Sequence, residues 1–75
     1  MRNSLPERRA DRGWSQQRLA DALGVSRQTV ISLEKGRFDP ALPLAFRIAA
    51  TFDCRIEDVF YPDGEPPAGN STHQP

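Results

Sequence analysis

Cysteine occurs once in this chain, at Cys54, so no disulfide can close within it. Histidine also occurs once, at His73, in a polar stretch near the end. Two isolated side chains make no ligand set, and neither a metal nor another cofactor is expected. No apolar run approaches the ~20 residues that span a bilayer, and the first residues lack the apolar stretch of a secretory signal. A soluble, cytoplasmic protein without a membrane partner is the expectation. Strand-like alternation and internal repeats are missing too. So are a nucleophile–base pair, a carboxylate dyad and a phosphate-binding loop. A helical domain of roughly 60 residues leaves no room for a deep pocket, so an enzyme is not expected. Net charge is also absent: ten basic residues balance ten acidic ones.

What is present is uneven. Through Arg37 there are eight basic residues against four acidic ones; from Phe38 on there are two against six. A neutral chain with one basic half can still draw a polyanion to one side. Its 75 residues suffice for one domain, whose modest core is marginal unless its helices pack well.

Five short helices are predicted. The first runs from about Leu5 to Arg12, with Asn3 or Ser4 as cap, Pro6 and Glu7 in the first turn, and Gly13 as its stop. Ser15 caps a second, Gln16 to about Leu23, whose Leu19, Ala20 and Leu23 share one face. Gly24 ends it. Ser26 caps a third, Arg27 to about Lys35, with Val30 and Leu33 inward and Gly36 as its stop. Asp39-Pro40 and Pro43 bracket a connection. A fourth helix follows, from about Pro43 to Phe52, with Leu44, Ile48 and Phe52 in one stripe. A fifth, Ile56 to Phe60, stops at Pro62. Residues 62–75 hold four of the seven prolines and no large apolar side chain, the composition of a disordered tail.

Only Gly24, Val25 and Ser26 separate the second and third helices. So tight a joint suits a helix-turn-helix, two short helices at a steep angle with glycine in the turn. Such a unit places the N-terminal residues of its second helix against base edges in the major groove.

The segment "GWSQQRLADALGVSRQTVISLEKGRFDPALPLAFRIAATF" resembles the phage Cro/cI repressor type of helix-turn-helix domain, the XRE family, and the likeness extends over about Asn3 to Tyr61. The resemblance implies an all-α fold, a compact five-helix lambda-repressor-like domain, and sequence-specific binding of double-stranded DNA as a homodimer on an inverted repeat. It implies base contacts from Arg27, Gln28 and Ser32, with Arg27 suited to guanine and Gln28 to adenine. It implies phosphate contacts from Gln16, Ser26, Thr29, Lys35 and Arg37, which position the domain without reading sequence, and for Gln16 a hydrogen bond to the third helix as well. Arg9 and Glu34 match a family ion pair that ties the first helix to the third.

Three positions depart from the family pattern. Arg8 replaces a core leucine, its stem expected along the apolar surface and its head in water. Ala41 replaces a capping serine. Ile31 replaces a small polar residue and lies one helical turn from Arg27, where a thymine methyl is its candidate partner against the plainer reading of a lone exposed apolar residue. Trp14 is expected in the core, and Cys54 as a small buried residue.

Two functions fit this reading. One is a transcriptional regulator, a repressor acting as a homodimer through its fourth and fifth helices, with Phe60 and Tyr61 near the interface. The other is the antitoxin of a toxin–antitoxin pair that also binds DNA to regulate itself. The second needs a segment that folds on its partner, and the tail lacks apolar anchors for that role.

Overall fold

The structure, a computed structural model, describes residues 1–62. The element order is β1 (Arg2–Asn3), α1 (Leu5–Asp11), α2 (Gln16–Leu23), α3 (Arg27–Glu34), α4 (Leu42–Thr51), α5 (Ile56–Val59) and β2 (Phe60–Tyr61). The tail expected over 62–75 lies, from Asp63 onward, outside the described residues.

Local chemistry sets the helix ends. Ser15 and Ser26 sit in extended backbone, and their hydroxyls accept from the amides of Arg18 and Thr29, at 3.0 and 3.1 Å. Each satisfies a first-turn N–H that the helix itself cannot pair. Gly24 closes α2 at φ 73°, a left-handed conformation that costs little only without a Cβ. Ser4, by contrast, makes no side-chain cap on α1; Asn3 Oδ1 takes the Leu5 amide instead, at 3.1 Å. Ala41 leaves α4 without a side-chain cap, and Pro43 in the first turn has no N–H that needs one.

The core is one cluster. Leu5 of α1, Leu19, Ala20 and Leu23 of α2, and Val30 and Leu33 of α3 meet Ala45, Ile48 and Phe52 of the α4 segment and Val59 of α5. These are the inward positions of each helical stripe, which is why helices this short hold: burial of a shared face stabilises them more than intrinsic propensity does.

Two expectations are corrected. A small strand pair exists: β1 and β2 run antiparallel, with Arg2 opposite Tyr61 and Asn3 opposite Phe60. Strands of two residues are too short to leave an alternating pattern in the sequence. The pairing ends α5 at Val59 and carries Phe60 into the core at 5% exposure, with Tyr61 half-buried. Phe60 is therefore unavailable to a partner surface. Arg8 also departs from expectation. Its guanidinium donates to Ser4 Oγ at 3.0 Å and to the Asp58 carbonyl at 3.3 Å, so its head links α1 to α5 rather than standing in water.

Trp14 sits at the rim of the core, half-buried, its ring 5.8 Å from that of Phe52. The Arg12 and Arg18 guanidinium carbons each lie 5.1 Å from its centroid. Cys54 is half-buried against the core, and that burial pushes its thiol pKa up. No helix among the described residues is long and apolar enough to cross a membrane.

Candidate nucleic-acid interface

α2, the three-residue turn and α3 form the helix-turn-helix. The turn works because Val25 packs on the core, with its amide held at 3.0 Å by the Ala20 carbonyl, while Gly24 reverses the chain. Ser26 then starts α3 with its first two side chains, Arg27 and Gln28, exposed.

The remaining positions sort by what already holds them. Lys35 and Arg37 are exposed on either side of Gly36, just beyond the end of α3. Among the described residues, none of Arg27, Gln28, Lys35 and Arg37 makes a side-chain hydrogen bond or ion pair with the protein. Ser32 and Ile31 are half-buried on the same helix. Ser26 and Thr29 are engaged with each other: their hydroxyls lie 2.9 Å apart, and Ser26 Oγ also takes the Thr29 amide. Their hydroxyls already complete the cap of α3.

Gln16 is half-buried, and its amide donates to Glu34 Oε1 at 3.2 Å. The same carboxylate receives Arg9, with Nε 2.7 Å from Oε2 and the second guanidinium nitrogen 3.3 Å from Oε1. Arg9 also donates to the Trp14 carbonyl at 2.9 Å. The Glu34 side chain is only 7% exposed. Its charge is tolerable there because three donors from two elements converge on it. One carboxylate thus ties α1 and the first residue of α2 to the last residue of α3.

A further positioning contact leaves no sequence signal beyond a candidate cap. Asn3 donates its side-chain amide to the Leu33 carbonyl at 2.8 Å and so pins β1 to the end of α3. Gly36 follows at φ 71°, where a Cβ would meet the Met1 carbonyl oxygen at 3.0 Å. The loop that presents Lys35 and Arg37 is therefore fixed by close backbone approach.

The comparisons with known proteins agree with this geometry. The family model described as helix-turn-helix matches residues 7–59, and the chain belongs to that family, the XRE type of DNA-binding transcription regulators. A protein of Methanocaldococcus jannaschii named an uncharacterized HTH-type transcriptional regulator is 53% identical over 66 residues, which cover 87% of this chain and all of that one. One from Archaeoglobus fulgidus with the same description is 48% identical over 65 residues, 87% of this chain and 93% of its own. In Bacillus subtilis the similarly named YgzD is 45% identical over 65 residues, 87% of this chain and 98% of its own.

Proposed function

We propose that this chain is a sequence-specific transcriptional repressor that binds an inverted-repeat operator as a homodimer, with α3 in the major groove of each half-site. The observation that carries the reading is the set of four exposed polar side chains, Arg27, Gln28, Lys35 and Arg37, with no partner among the described residues. Arg27 and Gln28 stand at the N-terminal end of α3, where base edges are read. Arg27 matches the two acceptors of guanine, and Gln28 the donor–acceptor pair of adenine. Ser32, one turn further along, adds a weaker base contact. Lys35 and Arg37 at the far end neutralise phosphate, joined by Gln16, whose amide nitrogen keeps a second hydrogen after donating to Glu34. Ser26 and Thr29 lie beside the backbone with hydroxyls already in the cap, and contribute through position. A protein seated on such a site represses by excluding others from it.

Selection of bound DNA from a random pool tests this directly. An enriched inverted repeat is expected, with half-sites about 10 base pairs apart, the spacing of successive turns of one duplex face. Arg27→Ala and Gln28→Ala should each relax preference at one position by about 1–3 kcal/mol. Lys35→Ala should weaken all sequences alike and flatten the salt dependence by about one phosphate contact. Unchanged base preference in both readout variants would sink the assignment of α3.

A further inference from the structure

The joint between α1 and α2 gathers two cations around one aromatic ring. Trp14 precedes the cap of α2, and Phe52 of the core holds its ring at 5.8 Å between centroids. The guanidinium carbons of Arg12, at the end of α1, and Arg18, in the first turn of α2, each lie 5.1 Å from the indole centroid. Arg12 is anchored: its Nη1 donates to the Thr51 carbonyl at 2.8 Å, and its guanidinium carbon also lies 5.0 Å from the Phe52 centroid. Arg18 is exposed, and among the described residues its guanidinium makes no hydrogen bond or ion pair.

We propose that Arg18 is a further contact to the DNA backbone, gripping two oxygens of one phosphate, and that Trp14 is the residue that positions it. The inference rests on the DNA reading and extends it to the start of α2. Three arguments select this role. The first is place. Helical side chains lean toward the N-terminus of their helix, so Arg18 lies over the turn that begins with Ser15 and Gln16. Its position over Trp14, four residues back, follows that lean. This end of the eight-residue helix carries the positive pole of its dipole. It also carries amides with no acceptor inside the helix, of which Ser15 Oγ takes that of Arg18. Gln16 stands on the same turn with its amide 3.2 Å from Glu34, and Lys35 directly follows Glu34. Arg18 therefore continues a row of donors that runs from Arg37 and Lys35 through Gln16.

The second argument is charge. Two guanidiniums at one ring repel each other, and among the described residues no carboxylate forms an ion pair with either. A phosphate beside them relieves that repulsion. The third is readiness. A cation held over a ring that the core fixes has lost part of its freedom before DNA arrives, so less ordering remains to oppose binding. The planar fork of arginine also suits a phosphate better than a lysine would.

Fluorescence anisotropy of the full chain on a labelled duplex of unselected sequence, across a salt series, tests this without an operator. Arg18→Gln keeps most of the stem and removes the charge. It should bind about five- to ten-fold more weakly near 0.1 M salt and lower the salt slope by about one phosphate contact. Arg18→Lys should recover the slope and only part of the affinity. Arg55→Gln, an exposed arginine at the start of α5, should leave the slope at the wild-type value. All three should melt close to wild type. Trp14→Leu, or Trp14→Phe if the leucine variant does not fold, should weaken binding in the wild-type background and have no effect in the Arg18→Gln background. A purely structural Trp14 would weaken both alike, and that outcome would overturn its positioning role. An Arg18→Gln chain with wild-type affinity and slope overturns the phosphate contact, and if Lys35→Ala still lowers both, the DNA reading stands without it. A wild-type chain with no salt-dependent binding to any duplex defeats that reading and this inference together.

Discussion

The arginines of α1 and α4 and those around α3 share a chemistry but differ in circumstance. Arg8, Arg9, Arg12 and Arg47 each donate to a carbonyl or carboxylate of another element, at 2.7 to 3.3 Å. They close gaps between helices. Arg27 and Arg37, with Lys35, have no such acceptor among the described residues. A guanidinium on a carbonyl keeps its charge but has committed N–H donors to the fold; one without a partner keeps all of its donors for a phosphate or a base. The arginines thus differ by whether an acceptor within the fold already holds them: Arg8, Arg9, Arg12 and Arg47 have one, and Arg27 and Arg37 have none among the described residues.

The sharpest way to break that contrast is to exchange effects across it. Arg9→Ala should cost about 3 kcal/mol in urea unfolding, since Glu34 would stay buried without its cation. Arg27→Ala should shift the same unfolding curve by less than about 0.5 kcal/mol, as surface changes do, while losing the DNA affinity set out above. Equal stability losses in the two variants would show that the distinction between bound and free arginines is false.

Smaller effects sharpen it at the joints. Gly36→Ala should destabilise more than Gly24→Ala. Both glycines are left-handed, a strain of about 1–2 kcal/mol for a side-chain-bearing residue. Only at Gly36 would the new methyl also press on a backbone carbonyl, at 3.0 Å. Paired thermal melts would show the difference, and equal midpoints would mean the Met1 segment yields without cost. Asp53 is left-handed without being glycine, at φ 54°, and its negative charge sits just past the end of α4. Asp53→Gly should therefore stabilise by up to about 1 kcal/mol, through relief of strain and of an unfavourable dipole contact. The smallest gain is expected from Ala41→Ser, about 0.5–1 kcal/mol, because Ala41 already has the extended backbone of a cap and lacks only the oxygen. Neither stabilising change should alter base preference in the selection experiment.

The burial of Cys54 gives a further check on the core rim. With its pKa raised, the thiol should react with a disulfide reagent at neutral pH more slowly than a free cysteine, and at the free rate once unfolded.

Much of this fold is legible in the sequence because its punctuation is local. Ser15, Gly24 and Ser26 act within one helical turn of themselves, so their roles follow from neighbours in the chain. The inward stripes of α2, α3 and α4 are legible for the same reason, since helical periodicity alone sets which residues share a face. The family pattern added which outward residues to ask about. It implied a hydrogen bond from Gln16 to the third helix but not that Glu34 receives it, and it did not reveal that the hydroxyls of Ser26 and Thr29 are engaged with each other.

What only the tertiary structure decided is long-range. Whether Arg8 ends in water or on the Asp58 carbonyl depends on a residue fifty positions away. Phe60 becomes core rather than surface because β2 pairs with β1 across the whole domain. The apolar face of Leu42 and Phe46 stands out only once the inward side of α4 is filled by Ala45, Ile48 and Ala49. Sequence spacing sets which side chains a helix turns the same way. Which acceptors lie opposite them depends on how the helices pack, and that separates the cations bound within the fold from those without a partner among the described residues.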